Sequence, residues 1–373
     1  MRGNKGEVII VGGGIIGCAT AYFLSKEGLR VEVIEADAIG SQASGVAVGL
    51  LAPLLGMGNS GPLLQFGLQG LEFMRHLIPQ LEEDTGIDIH RREAPILLLA
   101  FSSKEELAYR GDMEWRNATG LAASWLDQKE IIAIEASVNP EIIGASLLVG
   151  QIQVESYSLV LAFARSAERL GVVFRSGRVT GFTCQGNRVA GLILSSGKYL
   201  QADAFVLATG AWSQSLGSEL GQTVPVEPER GQLVNMDTMD NKPAYILYHN
   251  DTYVLSLTSG LIQAGTTREK VGFNSKPTER GNHSIISQAL SLYPSLSEAH
   301  VVQTLAGLRP MSSDGVPIIG PFPGWDNIYI ATGHGRKGIL LSAVTGRAIA
   351  QLITCRKVSQ ILSPFEPSRF LEI

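Results

Sequence analysis

Cysteine is scarce in this chain: Cys18, Cys184 and Cys355 are its only three, they lie far apart, and no two form a CxxC pair. That spacing excludes a disulfide framework and a structural zinc site, and it predicts a reducing, cytoplasmic setting without a bound metal. A basic surplus is also missing. The 30 Lys and Arg against 35 Asp and Glu leave a formal net charge of -5, so nucleic acid is not an expected partner. Long uninterrupted apolar runs are absent too, because glycine, proline or charge breaks each one before it spans a bilayer. The stretch from Val8, preceded by Arg2 and Lys5, has the look of a secretion signal. No small-residue cleavage site follows it, however, and it continues into charged "SKEGLR". The expectation is a soluble, unprocessed protein without membrane association. With 45% hydrophobic and 17% charged residues over 373 positions, the chain can bury about two domain cores.

What is abundant is glycine at strand ends. "VIIVGGGIIGCATAYFLSKEGLRVEVIEAD" begins with the β-branched run Val8 to Val11, continues with helical spacing from Ile15 to Leu24, stops at Gly28 and resumes as the strand "RVEVIE". Gly12, Gly14 and Gly17 fall in GxGxxG register at the first turn. There the first glycine permits a tight turn, the second lets a pyrophosphate touch backbone, and the third lets the helix pack on the strand. The helix N-terminus offers N–H groups to phosphate oxygens. Glu35 ends the second strand, where a carboxylate can accept hydrogen bonds from a ribose diol and would repel a 2′-phosphate. NAD and FAD remain as candidate cofactors.

"ADAIGSQASGVAVGLLAP", Ala36 to Pro53, then supplies small residues and hydroxyls that can lie flat against a large planar ligand. "YLQADAFVLATGAWS" and "NIYIATGHGRKGILLSAVTGRAIAQLI" repeat the plan of strand, glycine turn and helix much further along. Three such units predict one cofactor gripped from distant parts of the chain.

Together "VGGGIIG", "SGVAVGLLAP", "LATGAWS", "GLRPMSSDGVPIIGP" and "ATGHGRKGILLSAVTG" resemble the D-amino acid oxidase family of FAD-dependent amine oxidases, the last motif being nearest its glycine oxidase branch. The resemblance covers nearly the whole chain. It implies an α/β FAD-binding Rossmann-like domain of glutathione-reductase type and a second α+β substrate domain built on a largely antiparallel sheet. On this basis residues 1–88, 151–224 and 301–373 are assigned to a discontinuous FAD-binding domain, and 89–150 and 225–300 to the substrate domain. "NPEIIGASLLVG" and "VPVEPERGQ" read as crossings between them.

The same resemblance assigns roles residue by residue. Gly12, Gly14 and Gly17, with Ile15 and Ile16 in the first helical turn, would hold the FAD pyrophosphate. Glu35 and Ala36 would meet the adenosine ribose, and Ser41, Gln42, Ser44 and Gly45 the diphosphate and flavin side. Val179 would meet the adenine through its backbone, and Ala208, Thr209, Gly210 and Trp212 would close over the ribityl chain. Gly333, His334, Gly335, Arg336, Lys337, Gly338 and Ile339 would lie at the flavin pyrimidine edge, where the following helix dipole favours negative charge. FAD would be non-covalent, because Met311, Ser312 and Ser313 occupy the neighbourhood of the cysteine that tethers flavin in some relatives.

For chemistry, the resemblance implies hydride transfer from the amine α-carbon to flavin N5, giving an imine, an oxo acid with ammonia or amine, and hydrogen peroxide from molecular oxygen. Arg309 matches the carboxylate-binding arginine, a role suited to a planar guanidinium. The alternative for Arg309 is a structural salt bridge, for instance with Asp314. Tyr253 matches a tyrosine that touches the same carboxylate, and Arg336 an arginine near the flavin and the active-site entrance. His334 reads as structural. Arg268 stands where an apolar or acidic side chain is expected, and "LLGMGNSGPLLQF" is less polar than the matching loop. Both depart from the glycine oxidase pattern and leave sarcosine and small D-amino acids open beside glycine. The branch feeds its imine into thiamine biosynthesis and its members self-associate, which implies a homo-oligomer. The alternatives are a dehydrogenase of the same fold that passes electrons to a quinone or carrier, and a non-catalytic FAD-binding module.

Overall fold

The computed structural model describes residues 6–238, 242–355 and 360–371; Arg2 and Lys5 lie outside them. The opening strand Glu7–Val11 (β1) is apolar and buried because it lies inside a sheet covered on both faces. It feeds the helix Ile15–Lys26 (α1), buried on nearly every side from Ile15 to Leu24, and the strand Arg30–Glu35 (β2) returns parallel to it. Left-handed Gly28 at φ 84° turns the chain between the helix and β2. Each fully buried Ile or Leu here contributes roughly 1.5–3 kcal/mol of apolar transfer.

The six-stranded sheet runs in the order Ile318–Pro321, Ile328–Thr332, Ala204–Leu207, β1, β2, Val173–Ser176. Five strands are mutually parallel and Ile318–Pro321 is antiparallel at one edge. Its members come from three separated parts of the chain. The helix Gly338–Cys355 crosses α1 where Gly346 has backbone for a neighbour: a Cβ there would lie 2.7 Å from the Ala19 carbonyl carbon. By length and composition the segment Gly335–Cys355 could cross a membrane, but 61% of an apolar 18-residue stretch within it is buried inside the protein.

A second, eight-stranded sheet has the order His300–Ser312, Val226–Asp237, Ile262–Gly265, Thr252–Ser256, Ile246–His249, Ile96–Ala100, Gly144–Leu148, Ala123–Asp127. All its pairings are antiparallel except that of Ile246–His249 with Ile96–Ala100. The chain therefore combines a mostly parallel α/β unit with an α+β unit on a largely antiparallel sheet.

The stretches "NPEIIGASLLVG" and "VPVEPERGQ", read as crossings, hold strands of the eight-stranded sheet, Gly144–Leu148 and the start of Val226–Asp237. Gly144 is required there by the Trp125 ring, which a Cβ would meet at 2.2 Å. Pro228 lies opposite Pro310 on the neighbouring strand. Strand His300–Ser312 also belongs to this sheet, although residues from 301 onward were assigned by sequence to the cofactor domain.

Candidate active site

The glycine turn after β1 is built by contact rather than by flexibility alone. Gly12, at φ 109°, donates its N–H to the Ile34 carbonyl at 2.8 Å, and a Cβ on it would lie 2.3 Å from the Ala208 oxygen. A Cβ on Gly17 would lie 1.9 Å from the Gly12 oxygen, so only glycine lets α1 approach the turn. Gly14 precedes the helix in extended conformation without a side-chain cap, leaving first-turn N–H groups for a ligand. The hydroxyl of Ser44 accepts the Ile15 N–H at 3.0 Å. Glu35 accepts the N–H of Gly13 at 2.6 Å and that of Asp37 at 2.8 Å. A carboxylate has about four lone-pair sites, so two backbone bonds fix its orientation and leave capacity for a diol.

These groups open onto a cavity of about 420 Å³ lined from both sheets, within the size range of small-molecule sites. Of the residues expected at the cofactor, Gly12, Gly14, Ile15, Ile16, Glu35, Ala36, Gln42, Ser44 and Val179 line it. So do Ala208, Thr209, Gly210, Trp212, His334, Gly335, Arg336, Lys337, Gly338 and Ile339. Gly17, Ser41, Gly45 and Gly333 do not. Gly17 serves the helix contact just described, and a Cβ on Gly45 would meet the Gly40 oxygen at 2.6 Å. A dinucleotide fits this donor set: a cradle that a Cβ would fill, a helix start with first-turn N–H groups beyond the one Ser44 takes, and an oriented carboxylate.

Arg309, Tyr253 and Arg336 all line the same cavity. Arg309 lies across its neighbouring strand, where a Cβ on Gly231 would fall 2.0 Å from Nη2. Its Nη1 donates to Glu229 Oε1 at 3.2 Å and to the Thr267 carbonyl at 3.0 Å, and Nη2 donates to Thr266 Oγ1 at 2.6 Å. Asp314 is not its partner; that carboxylate pairs with Arg369. Among the described residues, Nε–H and one Nη2–H of Arg309 are left without an acceptor, and Nε and Nη2 lie along one edge of the guanidinium. Burial depresses the pKa of Arg309 against the opposing Glu229 charge, but a guanidinium stays ionised.

Tyr253 is buried, and its hydroxyl donates weakly to Gln263 Oε1 at 3.4 Å. Burial pushes its phenol up, against the pull of Arg309, so it acts as a hydrogen-bond donor and not as a base. His334 is buried, shares a hydrogen bond with Thr345 Oγ1 at 3.1 Å, and is pushed by burial down to about 3. It is therefore neutral.

Reasoning from sequence missed the group around Asp251. The two-residue turn Asn250–Asp251, at φ 46° and 67°, joins strands Ile246–His249 and Thr252–Ser256 and places Asp251 at the cavity. Asp251 Oδ1 accepts from Arg336 Nη1 at 2.6 Å and from the Tyr248 hydroxyl at 3.0 Å, and Arg268 Nε lies 3.3 Å from Oδ2. Burial would raise the Asp251 carboxyl, but these hydrogen bonds and charges hold it below the usual carboxylate range. Lys337 donates to the Leu55 carbonyl, and burial together with Arg336 pushes its ammonium down to about 7. The signal for this group was "HNDTY", a hairpin turn with an acid at its tip.

Comparison with known proteins gives a consistent picture. The family model described as FAD dependent oxidoreductase (DAO) matches residues 7–352. A glycine oxidase of Bacillus licheniformis is 31% identical over 350 residues, 93% of this chain and 92% of the relative. The bifunctional protein ThiO/ThiG of a Synechocystis strain is 31% identical over 98% of this chain, which spans 54% of that longer protein. The crystal structure of glycine oxidase from Geobacillus kaustophilus superposes with a TM-score of 0.93 at 29% identity, covering 99% of this chain and 100% of the other.

Proposed function

Because the chain belongs to the family of FAD-dependent oxidoreductases and takes FAD as its cofactor, we propose that it is an amino acid oxidase acting on glycine or a related small amine acid such as sarcosine or a D-amino acid. The observation that carries this reading is the open edge of Arg309 on the cofactor cavity. Two parallel N–H donors on a rigid fork match a carboxylate. Glu229, the Thr266 hydroxyl and the Thr267 carbonyl hold the guanidinium, so its remaining donors are oriented before substrate arrives. Tyr253 adds a hydroxyl that stays protonated. Walls from both sheets line the space between.

Bound FAD supplies the two-electron acceptor that returns its electrons to oxygen as hydrogen peroxide. In this account Glu35 and the Gly12–Gly17 turn hold the cofactor non-covalently, and Arg309 and Tyr253 orient the amine acid. No side chain has to remove a proton from carbon. His334 is neutral and bonded to Thr345, so it is assigned no acid–base role. The cofactor goes with the unit built on the six-stranded sheet and the substrate with that on the eight-stranded sheet. The boundary assigned at 300/301 then moves beyond Ser312.

The experiment is a peroxide-coupled screen of glycine, sarcosine, proline and D-amino acids with oxygen uptake recorded in parallel, beside acid precipitation to test flavin release. Turnover with peroxide and yellow supernatant supports the reading. Turnover that needs a quinone and consumes no oxygen makes the chain a dehydrogenase; flavin that stays with the precipitate contradicts non-covalent binding.

A further inference from the structure

We propose that the amine acid oxidised here carries a second carboxylate, which Arg336 and Lys337 take up while Arg309 holds the first and Arg268 engages Asp251 from outside the cavity; this rests on the oxidase reading above and narrows its substrate class.

The argument is one of charge at a partly enclosed site. Arg309 already faces its own carboxylate, Glu229. At the other group, Arg336 and Arg268 share the single carboxylate of Asp251. Lys337 donates to a backbone carbonyl, and no carboxylate of the described residues lies within 4.0 Å of its Nζ. Of Arg336 and Lys337, only Arg336 has a carboxylate partner among the described residues, and it shares that one with the solvent-exposed Arg268. Lys337 and Arg336 line the cavity directly, whereas Arg268 binds the far oxygen of Asp251 from outside it.

Burial first, and the Arg336 charge next, disfavour the charged form of Lys337, whose side chain has only the Leu55 carbonyl as partner among the described residues. A ligand anion at the cavity favours the charged form and pairs with it. A substrate with one carboxylate, spent on Arg309, leaves the second group as it stands. One with a carboxylate on its nitrogen substituent or side chain satisfies both, and the groups are near enough for the Arg336 charge to act on Arg309. Arg268 also acquires a reason. Without it, Asp251 and Arg336 would cancel; with it, Arg336 keeps capacity for a ligand.

The test uses the FAD-loaded protein and two non-oxidisable probes of equal chain length, succinate with two carboxylates and butyrate with one, titrated by their effect on flavin absorbance. Succinate should bind at least roughly tenfold tighter, which is about one ion pair. Arg268→Met should bring the ratio near one while butyrate binding and sarcosine turnover stay within about twofold. Lys337→Gln should lower the ratio by an independent route. Equal binding of the probes to the parent, with sarcosine still oxidised, overturns the two-carboxylate inference alone. A ratio unchanged in both variants also overturns it and assigns the cationic surplus to the cofactor. Failure of both probes to bind, with no amine acid oxidised, overturns the oxidase reading as well.

Discussion

Arg336 Nη1 lies 2.6 Å from Asp251 Oδ1, joining the turn that opens the last long helix to a hairpin tip of the eight-stranded sheet. The pair bridges the two sheets at the mouth of the cavity and sets the charge of its neighbours. Tyr248 is held at about 12, first by burial and next by the Asp251 charge. Asp251→Asn removes that charge, so the Tyr248 phenol should ionise at lower pH while remaining above a free tyrosine. Ultraviolet difference titration against the parent reads this directly. An unchanged tyrosine titration would place Asp251 too far from Tyr248 to matter.

Glu35 is oriented by the N–H groups of Gly13 and Asp37. Glu35→Ala removes the proposed ribose acceptor and its charge-assisted hydrogen bond, which should cost about 1.5–3 kcal/mol of FAD affinity. Thermal stability measured with excess FAD should fall as well, since bound cofactor supports the native state by mass action. Fluorescence titration of the apoprotein with FAD gives the affinity, and equal affinity in parent and variant would misplace the ribose.

Much of this could be read without a structure, and the exceptions share a cause. β1, α1 and β2 were legible because apolar periodicity switches from strand to helix to strand around Gly12 and Gly28. That Arg309, Tyr253 and Arg336 belong to one cavity was legible by motif. Val226–Asp237 was legible only from Arg230 onward, and His300–Ser312 was not. Their inward alternation is interrupted by Pro228, Gly231, Gly307 and Pro310, and their glycines make room for Arg309 and Val46 instead of packing a core. The roles of Glu229 and Asp251 depend on a cross-strand register and a hairpin tip, which local pattern does not set. The partner of Asp314 was misjudged because Arg369 lies 55 residues further along the chain.

Beneath the Arg309 face, Arg230 is buried and pairs with Glu269 at 3.0 Å, while Thr267 Oγ1 donates to the same carboxylate at 2.9 Å. Hydrogen bonding from Arg230 above all, then from Gln232 and Thr267, lowers Glu269 to about 2. A depressed carboxyl stabilises the fold above its unfolded pKa and loses that contribution as pH falls through the folded value. Stability should therefore decline between about pH 5 and pH 2 by roughly 2 to 3 kcal/mol from this group. In Glu269→Gln the protein should be less stable at neutral pH and its loss across that window shallower. Denaturant melts at several pH values measure it, and parallel losses in parent and variant would remove Glu269 as the source.

The central claim is that the open Nε edge of Arg309 binds the substrate carboxylate, and Arg309→Lys tests it most directly. Lysine keeps a positive charge beside Glu229 and removes the planar two-donor edge. The measurement is kcat/KM for sarcosine and for dimethylamine, its counterpart without a carboxylate, beside FAD content and a thermal melt. Losing a charge-assisted bond of about 1.5–3 kcal/mol should lower kcat/KM for sarcosine roughly tenfold to 150-fold. Dimethylamine should change little, and flavin content and melting should stay close to the parent. Equal losses on both amines, or a loss that follows flavin content, would contradict the account and leave Arg309 as a structural ion pair.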